Sequence, residues 1–174
     1  MKKVLSIFIF IFIFATNLLW SGEAYFLKPD GTRTYHIKDL QLDDGNRGYT
    51  GRVGTVVQIN SDLKLELGKR TVILRKDEGD RVVVVLIKGR LRVKSKSSSI
   101  HVRTPSASIL VGKGFSDIII ANLNTLAVSR EGDDLRVSTS KKIQHVPVGK
   151  YILITTEGDM SINEFKSDKE GEKE

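Results

Sequence analysis

Five cations, Lys88, Arg90, Arg92, Lys94 and Lys96, occupy every second position, with Gly89, Leu91, Val93 and Ser95 between them. Alternate residues of an extended chain face opposite sides. The spacing therefore predicts a cationic ridge, backed by a face that is apolar at Leu91 and Val93. Such a ridge attracts phosphate or carboxylate groups on lipid or glycan. The same side chains also guard a strand against edge-to-edge pairing and keep its face solvated. The spacing alone leaves both uses open.

The carboxylates cluster at Asp43-Asp44, Asp77-Glu78-Asp80 and Asp133-Asp134. None has the alternating ligands and closing Glu of a calcium loop, and turn chemistry accounts for all three. His36, His101 and His145 stand in no ligand spacing, and no nucleophile elbow, P-loop or dinucleotide fingerprint occurs. Gly112-Lys113-Gly114 is too short to cradle a phosphate. With no cysteine, a disulfide, a thiolate zinc site and an acylated lipoprotein cysteine are all excluded. The sequence points to a non-catalytic protein that needs no cofactor.

The elements that would carry the ridge are strands. Val82 to Ile87, just before it, is apolar on both faces, as in a strand covered on both sides. From Tyr49 to about Phe165, short runs rich in Val, Ile, Leu and Thr alternate with Gly, Asp, Asn and Ser. Strands are predicted at 52–60, 63–67, 71–75, 81–87, 90–96, 100–104, 108–111, 115–121, 125–129, 135–138, 144–147, 151–155 and 160–165. No window has helical spacing over three turns. The expected fold is all-β, a solenoid-like or sandwich-like stack of short strands. Glu-Gly-Asp recurs around Gly79, Gly132 and Gly158, at separations of 53 and 26. Stacked coils of about 26 residues would produce such a recurrence.

Both ends differ from this middle. Met1-Lys2-Lys3, the apolar run Val4 to Trp20 and Gly22-Glu23-Ala24 have the make-up of a secretory signal peptide over residues 1–24. An uncleaved anchor is the alternative, and would be the chain's only link to a membrane. Without Lys2, Lys3 and Glu23 the 28 basic and 21 acidic residues become 26 and 20, a net charge of +6. Residues 25–48 read as a polar lead-in and 166–174 as a solvated charged tail. The expected location is the periplasm or cell surface of a bacterium, where nucleic acid is the least suitable anionic partner.

One stretch is more specific. Gly89-Arg90-Leu91-Arg92-Val93-Lys94, then Ile100-His101-Val102-Arg103-Thr104-Pro105-Ser106-Ala107, then Phe115, resembles the FecR domain. In that family a strand ending Gly-x-apolar-x-apolar precedes an Arg-Thr-Pro-x-Ala stretch and a Gly-Thr-x-Phe turn. Here Arg103, Thr104, Pro105, Ala107 and Phe115 match, while Val111-Gly112-Lys113-Gly114-Phe115 is shorter and lacks the threonine. The likeness spans roughly residues 45–156. It implies an all-β, solenoid-like domain of the kind that relays receptor occupancy to a sigma factor across a membrane. Only Met1-Lys2-Lys3 precedes the apolar segment, so a freestanding domain without an anti-sigma segment is expected. Its expected partner is an envelope protein or glycan, with anionic lipid or lipopolysaccharide as the alternative.

Overall fold

The computed structural model describes residues 24–35 and 40–164, so the readings of the leader, of His36 and of the tail lie outside the described residues. Among the described residues there are sixteen strands and no helix. In chain order they are β1 (Tyr25–Leu27), β2 (Arg33–Tyr35), β3 (Leu40–Gln41), β4 (Arg47–Tyr49), β5 (Thr55–Gln58), β6 (Leu63–Leu67), β7 (Val72–Arg75) and β8 (Val83–Ser95). There follow β9 (Ile100–Arg103), β10 (Ser108–Val111), β11 (Gly114–Ala121), β12 (Asn124–Gly132), β13 (Leu135–Ser138), β14 (Ile143–Val146), β15 (Lys150–Ile154) and β16 (Met160–Glu164).

These strands form one sheet folded double into two leaves. The first runs β2-β1-β4-β7-β8-β9-β10-β13-β14, the second β3-β5-β6-β8-β11-β12-β15-β16. Strand β8 belongs to both. Its first part, to Lys88, pairs with β7 and β9; its second, from Gly89, pairs with β6 and β11. Pairing is antiparallel except at β3/β5 and β8/β9. Alternation directs one side of each leaf inward. Leu63, Leu65, Leu91, Val93, Ile118 and Ile152 of the second leaf join Ile100, Val102, Ile109, Val111, Leu135 and Val137 of the first in one buried cluster. Burial of each such side chain contributes about 1.5–3 kcal/mol.

Three expectations change in detail. The boundary drawn between residues 48 and 49 falls inside β4, and Phe26 and Leu42 belong to the common core, so the segment from β1 onward is part of the same body. Lys88-Gly89 is a crease in continuous strand rather than a break between two strands. The Glu-Gly-Asp triplets do not mark equal coils. Gly79 turns β7 into β8, Gly158 turns β15 into β16, and Gly132 closes β12 beside Gly114, all with positive φ. One turn chemistry is used at three different junctions.

The crease has a specific cause. Gly89 has a φ of +92°, and a Cβ there would lie 2.5 Å from Thr71 Oγ1 and 2.7 Å from Thr71 Cα. Thr71 is fully buried, and its Oγ1 accepts a hydrogen bond from Arg90 N at 3.1 Å. Thr50 Oγ1 in turn accepts from Thr71 N at 2.8 Å and donates to the Gly68 carbonyl at 2.6 Å. Gly89→Ala is expected to cost about 3 kcal/mol, from backbone strain together with the clash. Gly79→Ala, whose turn leaves open space for a Cβ, should cost only the left-handed penalty of about 1–2 kcal/mol. Urea unfolding midpoints of the two variants check the difference.

Candidate functional site

The outer face of the second leaf carries three rows of facing residues. One runs Glu66, Arg92, Asp117, Val128 and Tyr151 across β6, β8, β11, β12 and β15. On one side of it lie Arg90, Ile119, Leu126 and Leu153, and on the other Lys64, Lys94, Phe115 and Glu131. The period-two spacing thus puts Arg90, Arg92 and Lys94 on one face, with Leu91 and Val93 fully buried behind them. Lys88 stands before the crease, opposite Val72 of the first leaf, and Lys96 lies just past the end of β8.

Three of the five cations are committed within the protein. Asp117, whose side chain is 1% exposed, receives Arg90 Nη2 and Arg92 Nε at 3.0 Å each, and Arg130 Nε at 3.2 Å. Burial disfavours its charge, but hydrogen bonds from Arg92 and Arg90 and their positive charges outweigh this and hold the carboxyl below its ordinary pKa. Arg92 also bonds Glu66 at 3.4 Å and lies 4.7 Å over the Phe115 ring. Lys94 contacts Glu66 at 2.5 Å and sits 5.5 Å from the same ring. The Lys94 bond, partly opposed by burial, keeps Glu66 ionised to lower pH.

Beyond this cluster the cations open onto a cleft of about 840 Å³ at the end of the second leaf. Lys64, Lys94, Lys96 and Lys113 line it, together with Phe115, Asp62 and Glu131. Its wall is made where the β10–β11 turn crosses the end of β12. Lys113 N donates to Asp133 Oδ2 and Asp133 N to the Lys113 carbonyl, both at 2.8 Å. Gly114 and Gly132 are pressed together there: a Cβ on Gly114 would overlap the Glu131 carbonyl, and one on Gly132 the Lys113 carbonyl. The short Val111–Phe115 turn is what brings Lys113 to the cleft.

The Arg103–Ala107 stretch has a different role. Thr104 to Ala107 is the β9–β10 turn, closed by Thr104 N donating to the Ala107 carbonyl at 2.8 Å and Ala107 N to Thr104 Oγ1 at 3.1 Å. Fully buried Thr125, from the second leaf, donates to Thr104 Oγ1 at 2.9 Å and shares a hydrogen bond with Ser106 Oγ at 2.8 Å. Pro105 is exposed at the tip and Ala107 is buried. Arg103 forms a bidentate pair with Glu78 at 2.6 and 2.7 Å. The Thr104 and Ser106 hydroxyls fasten one leaf to the other, while Arg103 ties β9 to the β7–β8 turn within the first.

The carboxylate clusters serve the backbone and nearby arginines. Asp44 accepts from Asp77 N, Asp77 pairs with Arg75, and Asp134 accepts from Val148 N. His101 lies in β9, where burial, then the charges of Arg81 and Arg103, push its pKa down. His145 is exposed in β14. Sequence reasoning missed Asp117 and Thr125. A lone acid inside the apolar run Phe115 to Ala121 was the available signal for Asp117. Its arginine partners, 25 and 27 residues earlier, become visible only with the strand register.

No protein-family model and no curated protein matches the chain. Its fold is similar to two crystal structures of a "putative anti-sigma factor" from Parabacteroides distasonis ATCC 8503. Each superposes with a TM-score of 0.56, at 13% and 15% identity, over 74% of this chain. The match spans 60% and 58% of those chains, so this protein corresponds to little more than half of each. The likeness establishes a shared all-β fold.

Asp117→Asn should destabilise the protein by about 2–3 kcal/mol. That lies at or just below the low end of the range of about 3–5 kcal/mol for breaking a buried pair, because the three arginine side chains stay 32–45% exposed. A carboxyl with a depressed folded-state pKa stabilises above its ordinary value, near 3.8, and loses that contribution as the pH falls through the folded value. Urea unfolding at a series of pH values should therefore show a steep acid limb below pH 3.8 in the native protein, flattened in the variant.

Proposed function

We propose that this chain is a FecR-like, non-catalytic module, exported to the bacterial envelope, which contacts an envelope protein or glycan as part of signalling. The observation that carries this reading is the fold similarity to the Parabacteroides protein over 74% of the chain. That protein's anti-sigma description supplies the signalling context. The FecR-like stretch from Gly89 to Phe115 supports it independently, since Thr104 and Ser106 within it are spent on joining the two leaves. A stretch used that way would accompany the architecture rather than any one ligand. The mature body carries a net charge of +6 and presents a mixed face of arginine, isoleucine and leucine. Such a surface is suited to a partner's acidic groups and apolar side chains.

Cell fractionation with N-terminal sequencing tests export, with the chain expected in the envelope fraction and beginning near Ala24 or Tyr25. Recovery from the cytosol with Met1 intact would overturn it. Cross-linking in intact cells should then repeatedly recover one envelope protein or glycan, and recovery of none refutes the interaction.

A further inference from the structure

We infer that the lysine-lined cleft at the end of the second leaf binds an anionic saccharide, the charge coming from carboxylate or phosphate groups on the sugar. This rests on the proposed envelope reading and gives its glycan partner a place and a chemistry. Four lysines, Lys64, Lys94, Lys96 and Lys113, come to this cleft from three separate segments of chain. Among the described residues Lys64, Lys96 and Lys113 form no ion pair, and all three are exposed, whereas Arg90 and Arg92 are held by Asp117. The cleft thus gathers three unpaired cations, Lys96 from the basic strip and Lys64 and Lys113 from outside it, while Lys88, also unpaired among the described residues, stands apart beyond the crease.

Two further features select a sugar over a bare anion. Asp62 and Glu131 place carboxylates among the lysines. These repel a compact phosphate but accept hydrogen bonds from hydroxyl groups. The part of the Phe115 ring that Arg92 and Lys94 leave uncovered lines the cleft and offers an apolar edge to a pyranose. The volume of about 840 Å³ is within the range of about 300–1,000 Å³ typical of small-ligand clefts, and far exceeds the needs of a single phosphate. A membrane surface suits the site less well. Phe115 is only partly exposed beneath Arg92 and Lys94, so it cannot insert among acyl chains.

Calorimetric titration of the purified full chain tests this with four probes: oligogalacturonate, a neutral dextran oligomer of equal length, inorganic phosphate and phosphatidylglycerol vesicles. Oligogalacturonate should bind, more weakly as salt rises. K64A/K113A should weaken it at least tenfold, while K141A/K142A, on the β13–β14 turn, should leave it unchanged. Circular dichroism should show both double variants folded, since the altered lysines are exposed. Equal binding of the neutral oligomer, tighter binding of phosphate or of vesicles, or indifference to K64A/K113A would each overturn the inference. If K64A/K113A still captures the envelope partner in cells, the cleft assignment fails and the broader function stands; if the native chain captures none, the broader function fails.

Discussion

The architecture depends on the crease in β8. One strand supplies the ladder for β7 and β9 before Gly89, and for β6 and β11 after it. Both leaves are thus covalently continuous at their centres, and the core closes between them. A strand can change direction this sharply only where a residue tolerates positive φ and a neighbour may approach its Cα closely. Gly89 meets both conditions because Thr71 fills the space a side chain would take and bonds the next backbone N–H. The buried threonines therefore satisfy the polar backbone that the fold exposes at its bend, which an apolar side chain could not do.

The crease also decides what the basic strip can do. Before it, Lys88 belongs to the first leaf; after it, Arg90, Arg92 and Lys94 share the outer face of the second. Register then places Asp117 beside the two arginines and leaves the lysine end without a buried counter-charge. A carboxylate with 1% exposure would be costly alone, and three guanidinium groups make it tolerable. Arginine suits this work, since its planar fork can bond one carboxylate oxygen while its face lies on Phe115. Lysine, a compact and strongly hydrated charge, stays with the solvent at the cleft. The division of labour follows from residue type as much as from position.

Much of this was legible in the sequence where one local rule decides. The strands Leu63–Leu67, Ser108–Val111 and Leu135–Ser138 agree residue for residue with their alternating patterns, because one face of each is buried and the period is strict. The all-β fold follows from the same repetition. Lys88-Gly89 misled, since a glycine in an apolar run signals a turn as readily as a crease, and only the partners of β8 distinguish the two. The Glu-Gly-Asp spacing misled for a related reason: positive-φ turns recur in any meander, whatever its coil length. At the site, only the middle of the expected five-residue ridge, Arg90, Arg92 and Lys94, was readable from local spacing; the crease puts Lys88 in the other leaf and β8 ends before Lys96. The cleft was not, for Lys113 reaches it through the β10–β11 turn and Glu131 through the pairing of β12 with β11, neither of which spacing encodes.

The departure from the FecR-like turn pattern acquires a meaning in this light. Threonine in place of Gly114 would not pass through the gap beside Gly132, and a side chain at Gly112 would displace that of Asp133. A Cβ at Gly112 would lie 2.5 Å from Asp133 Oδ2, and one at Gly114 would overlap the backbone of β12. The shortened Val111–Phe115 turn therefore goes with the glycine at 132 and the aspartate at 133 as a single packed unit. That unit carries Lys113 at its apex and Phe115 at its foot, the two residues that join the cleft to the basic strip.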